Sequence, residues 1–285
     1  MIFDITNFKG IVESLSTYLD IDGRDIVYYV ENMRGDEIEV NDFLDYFNID
    51  HRKLLEENLS ITSLHLTTNN DGCENIKKHG ILNLQDALSQ GTQLSSYLLS
   101  FGVRVDVKEK QVFINEKIID ISKEYDGIEV HKGIRRVGLD RTIYKLYNDY
   151  QINGFFYTDN ILNYGGYVNR RPEILSELAK LLKNRDIEDK WIFDKDNKPY
   201  VIKFYTPLYN FENYTFNCDE NLDTDEMELV KRKWVIHKSL RYINGVVTGG
   251  SIGECFSYVK SKLRIPPANI IKVYNEDEYI NEYVT

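Results

Sequence analysis

Cysteine is scarce in this chain. Cys73, Cys218 and Cys255 are odd in number and widely spaced, and no C-x-x-C pair occurs. That excludes a disulfide scaffold and a zinc knuckle and fits a reducing, intracellular setting. Long apolar runs are also missing, and none approaches the roughly 18 residues a membrane helix needs. The opening stretch MIFDITNFKGIVES has neither a basic region nor an apolar core, so it does not read as a secretion signal. These absences predict a cytoplasmic protein with no membrane partner. Several chemistries lack their motifs too. There is no P-loop, no G-x-G-x-x-G after a strand, no H-E-x-x-H and no G-x-S-x-G elbow. The five histidines lie far apart in sequence, so no metal site is expected. Excess positive charge is absent as well. At a formal −11, a nucleic-acid partner would need a local basic patch working against the global field.

What is present is ordinary globular composition, 42% hydrophobic and 28% charged over 285 residues, enough for a sizeable core. Tyrosine is over-weighted, with 21 against 13 Phe and 2 Trp. Compositional bias accounts for this simply; the alternative is a pocket for a flat polar ligand, since Tyr offers a ring face and a hydroxyl together.

Residues 1–58 read as helical, with apolar residues three and four apart in FKGIVESLSTYL and VNDFLDYFNIDHRKLLEENL, and Asn41 as a helix N-cap. They form a helical cap or interaction segment ahead of a second unit over 59–285. ITSLHLTT alternates and is rich in β-branched residues, which predicts a strand over 61–68. A short helix follows, ending at a left-handed Gly80, then helical sequence broken near Gly91. VRVDVKEKQVFINEKIIDI predicts a two-stranded hairpin, DRTIYKLYNDYQ a helix and GFFYTDN a short strand. ILNYGGYVNRRPEILSELAKLLKN reads as two helical pieces, with Pro172 in the first turn of the second. KPYVIKFYTPL and IIKVY are strands, and MELVKRKWVIHKSL reads as two strands or a bent one. The fold class is α+β, with a mixed, mostly antiparallel β core behind a helical N-terminal portion.

Three pieces stand out by their order. His65 and Thr67 lie on one strand, followed by Ile76, Gly80 and Ile81. GFFYTDN ends in Tyr157 and Thr158 and is followed by Tyr164 and Tyr167. Glu226 and Glu228 stand before a late strand, two apart and so on one strand face. This order resembles the ADP-ribosyltransferase superfamily, in its histidine-type, toxin or phage-defence-like branch. In that family a first strand carries His or Arg, a middle strand an aromatic or hydroxyl residue, and a late strand a Glu. IPPANIIKV also matches a common close to such domains, so the likeness spans roughly residues 61–275.

The resemblance implies an NAD-dependent mono-ADP-ribosyltransferase, with NAD as co-substrate, a protein or nucleic-acid acceptor, and an antitoxin-like inhibitor as a further partner. It assigns Glu228 to the ribose, where cleavage of the nicotinamide bond builds positive charge, and Glu226 to the acceptor. It assigns His65, Thr67, Tyr157, Thr158, Tyr164 and Tyr167 to NAD, with a tyrosine stacked on the nicotinamide. Leu66 stands where the family has a glycine, which alters how closely a ligand approaches. Arg170, Arg171, Lys231, Arg232 and Lys233 are candidates for phosphate or solvated surface charge. His79 reads as a helix C-terminal cation, and His131 has no nameable partner. The rival reading is a binding protein that keeps the fold without turnover.

Overall fold

The chain opens with β1 (Ile2–Phe3), which lies parallel to the start of β2 (Ser60–Asn69). Between them run α1 (Phe8–Leu19), α2 (Gly23–Asn32) and α3 (Val40–Tyr46). Asn7 and Asp22 cap the first two, each side chain accepting from a backbone N–H of the first turn. Asn41 is not a cap, because α3 starts one residue before it; its Oδ1 accepts from Lys233 Nζ at 2.9 Å. The structure, a computed structural model, describes residues 1–33, 38–123, 134–218 and 221–284, with backbone alone for 134–137. His131 lies outside the described residues.

After β2, α4 (Glu74–His79) ends at Gly80 as expected, but not in a left-handed helical cap. Gly80 has φ 81° and ψ −172°, an extended conformation that essentially glycine alone adopts. The chain must turn there to bridge Ile81 to Ile265, and an added Cβ would stand 1.9 Å from the Ile265 carbonyl oxygen. Gly80→Ala is therefore expected to destabilise the protein by about 2 kcal/mol or more. Urea denaturation would check this, and an unchanged midpoint would refute it.

A second core follows. Helices α5 (Leu84–Ser89) and α6 (Gln93–Ser100) lead into a three-stranded antiparallel sheet of β3 (Val103–Asp106), β4 (Gln111–Ile114) and β5 (Lys117–Asp120). The hairpin expected here gains a third strand because FINEKI turns tightly at Asn115, which takes φ 50°. Helices α7 (Ile134–Tyr147), α8 (Glu173–Leu182) and α9 (Asp186–Ile192) complete it around Leu98, Val112, Ile143, Leu175 and Trp191. The first of the two helical pieces expected before Pro172 is only a 3-10 turn over Ile161–Asn163.

The main sheet adds β6 (Asn153–Tyr157), β7 (Lys198–Pro207), β8 (Cys255–Tyr258) and β9 (Ile270–Tyr274), in the order β8-β6-β2-β7-β9 with every neighbour antiparallel. The fold is thus mixed α+β with mostly antiparallel sheets. One sheet face shares a core with the N-terminal helices, joining Ile11, Ile26 and Phe43 to Ile202 and Phe204. The other is covered by α11 (Glu276–Tyr283), where Tyr279 packs with Leu64, Leu66 and Val201.

The largest departure from the sequence reading is α10 (Thr224–Thr248), 25 residues of helix where strands were expected. The apparent alternation of Leu229, Trp234 and Ile236 hid a helical stripe of buried Val235, Ile236, Ser239, Leu240 and Ile243. Asp223 and Glu226 form a reciprocal capping box at its start. Among the described residues no helix is long and apolar enough to cross a membrane.

One buried ion pair ties the ends of the chain together. Lys203 of β7, its side chain 8% exposed, donates to Asp4 Oδ2 at 2.6 Å. Asp4 Oδ1 accepts from Thr6 Oγ1 and Thr62 Oγ1, and Thr6 Oγ1 lies 3.1 Å from the Tyr283 hydroxyl.

Candidate functional site

β2 and β6 share a single register pair, Leu64 with Phe155, whereas β2 stays paired with β7 all the way to Asn69. Gly154 allows the one close approach, since a Cβ there would lie 2.5 Å from the Leu64 carbonyl oxygen. Past that point the strands part, and α5, α7 and α8 of the second core wall the gap. The result is a cavity of about 620 Å³, within the usual range for ligand sites. A smaller one, about 160 Å³, lies around Asn75, His79, Gln93 and Trp191 and shares His65, Thr67 and Thr68 with the first.

His65 sits where the two cavities meet. Its Nδ1 lies 2.7 Å from the Asn153 carbonyl oxygen, so Nδ1 carries the hydrogen and donates. In the neutral ring Nε2 is then the lone-pair nitrogen. Burial pushes the imidazole below its ordinary value, against the opposing pull of that carbonyl. The neutral ring is the stable form near pH 7.

Lys145 lies opposite, between Asp149 and Glu173. Burial works against its charge, but the two carboxylates outweigh that and hold the ammonium above its ordinary value. Asp149 also accepts from Asn153 Nδ2 at 2.8 Å, while Asn153 Oδ1 is buried with no partner. In the smaller cavity, Gln93 Nε2 is likewise buried and unpartnered. Each is a polar atom whose hydrogen bond the protein itself does not supply.

Aromatic rings form the remaining wall. Tyr164 meets Phe155 edge-on at 5.0 Å and Phe256 at 6.1 Å, and Phe256 stacks near Tyr258 at 6.2 Å. Burial raises the Tyr164 hydroxyl first; Glu173, Glu254 and Asp149 push it further, with Lys145 opposing. This brings in Glu254, which no reading of the sequence singled out. It is exposed, immediately precedes β8, and stands two residues before Phe256, hence on the same strand face. The segment ahead of it is pinned to the end of β6, because Asp159 accepts from Ser251 Oγ at 2.8 Å and Ile252 N at 3.2 Å.

The structure divides the sequence candidates. His65, Thr67 and Tyr164 line the cleft. Leu66 lines it too, but its side chain is 5% exposed and packs with Leu64 and Val201, so the core absorbs most of the bulk that was expected to crowd a ligand. Tyr157 does not face the cleft. Its ring meets Tyr242 at 5.0 Å, its hydroxyl donates to the Lys238 carbonyl at 3.4 Å, and burial raises its pKa. Thr158 follows it past the end of β6 and lines neither cavity. Tyr167 is 65% exposed at φ 60°, with Arg170 over its ring, and also lines neither.

Glu226 and Glu228 are not strand neighbours on one face. Two residues apart on a helix they differ by about 200° and point to opposite sides. Glu226 belongs to the α10 capping box. Glu228 accepts from Arg232 at 2.9 and 3.0 Å, and Arg232 in turn donates to the Leu54 carbonyl and the Tyr18 hydroxyl. Neither acid lines the cleft. The basic candidates are mostly engaged as well: Arg171 holds Glu188 and the Gly166 carbonyl, and Lys231 is buried over Phe216. His79 ends α4 with Lys77 and Lys78, the cationic helix terminus expected of it, and also borders the smaller cavity.

No protein-family model, curated protein or solved structure matches the chain. Among the described residues, no group of three or more His, Cys, Asp or Glu side chains is arranged to hold a metal ion.

Proposed function

We propose that the cleft binds NAD and that the chain transfers ADP-ribose to a macromolecular acceptor. The observation that carries this reading is one of adjacency. The strand with His65, the strand with Phe155 and the late strand headed by Glu254 lie side by side in the sheet, with Tyr164 beside the divergence that opens the cleft. The late strand read in the sequence, behind Glu226 and Glu228, is helix α10, so the third place in this order falls to β8. We assign the carboxylate's role to Glu254 in place of Glu228: it lines neither cavity, but it heads β8, and its charge reaches Tyr164 of the cleft wall.

The unpartnered groups suit such a ligand. Asn153 Oδ1 offers an acceptor to a carboxamide N–H, and Gln93 Nε2 offers a donor to the far portion of a two-part nucleotide. Tyr164 presents a ring edge and hydroxyl to a flat heterocycle. In the reaction, the bond between nicotinamide and ribose C1′ breaks and its electron pair leaves with nicotinamide. The acceptor atom bonds C1′ and gives up its proton. Glu254 would hold the ribose and stabilise the cation that develops between those events.

The test is release of free nicotinamide from NAD by the purified chain, with cell extract as the source of acceptor. Release that scales with protein concentration is expected. No release with any extract, alongside NAD that binds and stays intact, would instead leave the chain as a nucleotide-binding protein without turnover.

A further inference from the structure

Two helices at the N-terminal end carry more apolar surface than the core uses. Their buried apolar positions include Ile11, Leu15 and Leu19 on α1, and Ile26, Tyr29 and Val30 on α2. At about 100° per residue, the apolar arc of α1 runs on past these to Phe8 and Val12, and that of α2 to Val27. All three are only half-buried, and Tyr28 beside them is 63% exposed. Together they floor an open groove of about 590 Å³ between the helices. Gly23 lets α2 start tight against α1, since a Cβ there would stand 2.7 Å from Val12 Cγ1. None of these residues lines the cleft, so the groove is a separate surface.

The rim is acidic. Glu13, Asp22 and Glu31 edge the groove, and Asp20 and Asp25, close by in sequence, are exposed. Arg24 is the one base among the lining residues, and its guanidinium is spent on Asp22, to which it donates at 2.7 and 3.2 Å. Lys9 stands 3.9 Å from Glu13 with both side chains mostly in water, so it offsets little of the rim's charge. An apolar floor with a rim of one sign selects what can lie on it. A second copy of this chain, at −11, brings charge of the wrong sign, and so do nucleic acid and an anionic lipid surface. A helix with one apolar face flanked by lysine or arginine matches both parts. α1 has 12 residues, a length of about 18 Å, so such a helix has about three turns to lie along.

We propose that the groove between α1 and α2 docks a basic amphipathic helix of a partner protein, its apolar face on Val12, Val27 and Tyr28 and its cations on Glu13 and Glu31. This docking is independent of the transfer chemistry, because no residue of the cleft takes part and binding is read without NAD.

The experiment is fluorescence anisotropy of a labelled helical peptide of about 14 residues, with leucine at i, i+3, i+4 and i+7 and lysine elsewhere, titrated with the full chain. One control peptide has the same composition with its leucines scattered around the helix, and a second carries glutamate for lysine. Saturable one-to-one binding of the first peptide is expected, tighter than that of either control by about ten-fold or more and weakening as salt screens the rim. Tyr28→Ala should weaken it about five-fold or more, the loss of an aromatic anchor. Glu13→Lys with Glu31→Lys should weaken it about ten-fold or more, because the rim then repels the peptide. All three positions are exposed, so the folded state survives the changes. Tyr209→Ala, at a ring also 63% exposed but outside the groove, should leave the affinity as it was, and so should Glu116→Lys with Asp196→Lys at exposed acids elsewhere. No saturable binding, equal binding of the scattered-leucine peptide, or affinity indifferent to both sets of groove substitutions would each overturn the proposal. Equal losses from changes inside and outside the groove would overturn it too, by showing that the general negative field alone holds the peptide.

Discussion

Glu254→Gln is expected to lower nicotinamide release by about two orders of magnitude or more. The amide keeps the shape of the side chain and removes its charge, so what is lost is stabilisation of the cation forming at the ribose. The surroundings favour a clean result. Glu254 is exposed and makes no contact on which the core depends, so the folded state should survive unchanged. Glu228→Gln supplies the contrast. Its carboxylate is spent on Arg232, a side chain only 5% exposed that ties α10 to Leu54 and Tyr18. Turnover should therefore change little, while thermal stability drops by a few degrees. Steady-state release assays on both variants, with melting curves alongside, decide the matter. Full activity in Glu254→Gln and its loss in Glu228→Gln would reverse the assignment.

The second large effect is expected at the other end of the molecule. Asp4→Ala leaves Lys203 buried without its counter-charge, a loss that typically costs about 3 kcal/mol or more. For a chain of this size the melting temperature should fall by roughly 6–12 °C. The pH dependence has a definite sign. Although burial opposes it, Lys203 and the Thr6 hydroxyl and backbone N–H hold Asp4 below its ordinary 3.8. Its contribution is thus present above that value and lost as pH falls through the lower folded-state value. Lys203 is held above 10.5, so its share is present below that value and lost as pH rises through the higher one. The difference between parent and Asp4→Ala should be greatest between about pH 4 and 10 and shrink on either side. Urea denaturation at pH 7 and pH 3 checks this, and equal midpoints at pH 7 would refute it. Asp4→Ala combined with Lys203→Met should recover much of the loss, because no buried charge is then left alone.

These outcomes bear on how far the sequence could be read. The strand around His65 was legible because ITSLHLTT is rich in β-branched residues and alternates through Leu64, His65, Leu66 and Thr67. Gly80 was legible as a stop, though its conformation answered to Ile265, nearly two hundred residues away, and not to the helix it closes. α10 was misread because three apolar residues mimicked strand spacing. Its helical stripe included Ser239, which a search for apolar residues passes over. That error carried Glu226 and Glu228 into the wrong role. Glu254 was missed for the opposite reason. β8 is four residues long, too short for periodicity to announce it. Only the sheet order shows that this strand lies beside β6. Tyr157 and Tyr164 looked equivalent in sequence, and only their packing separates a core ring from one that lines the cleft.

The pairing of β2 with β7 sets when the cleft can exist. Its register joins Ser60 to Pro207 and Asn69 to Lys198, so a loop of well over a hundred residues closes before the central ladder forms. β8, β9 and α11 come later still, and Tyr279 and Tyr283 at the far end complete the core behind β2. Such distant pairings make folding slow, because loop entropy is lost before contacts repay it. The walls of the cleft, from His65 to Tyr258, therefore come together only after nearly two hundred intervening residues have been made, so a binding surface is absent from every shorter nascent piece.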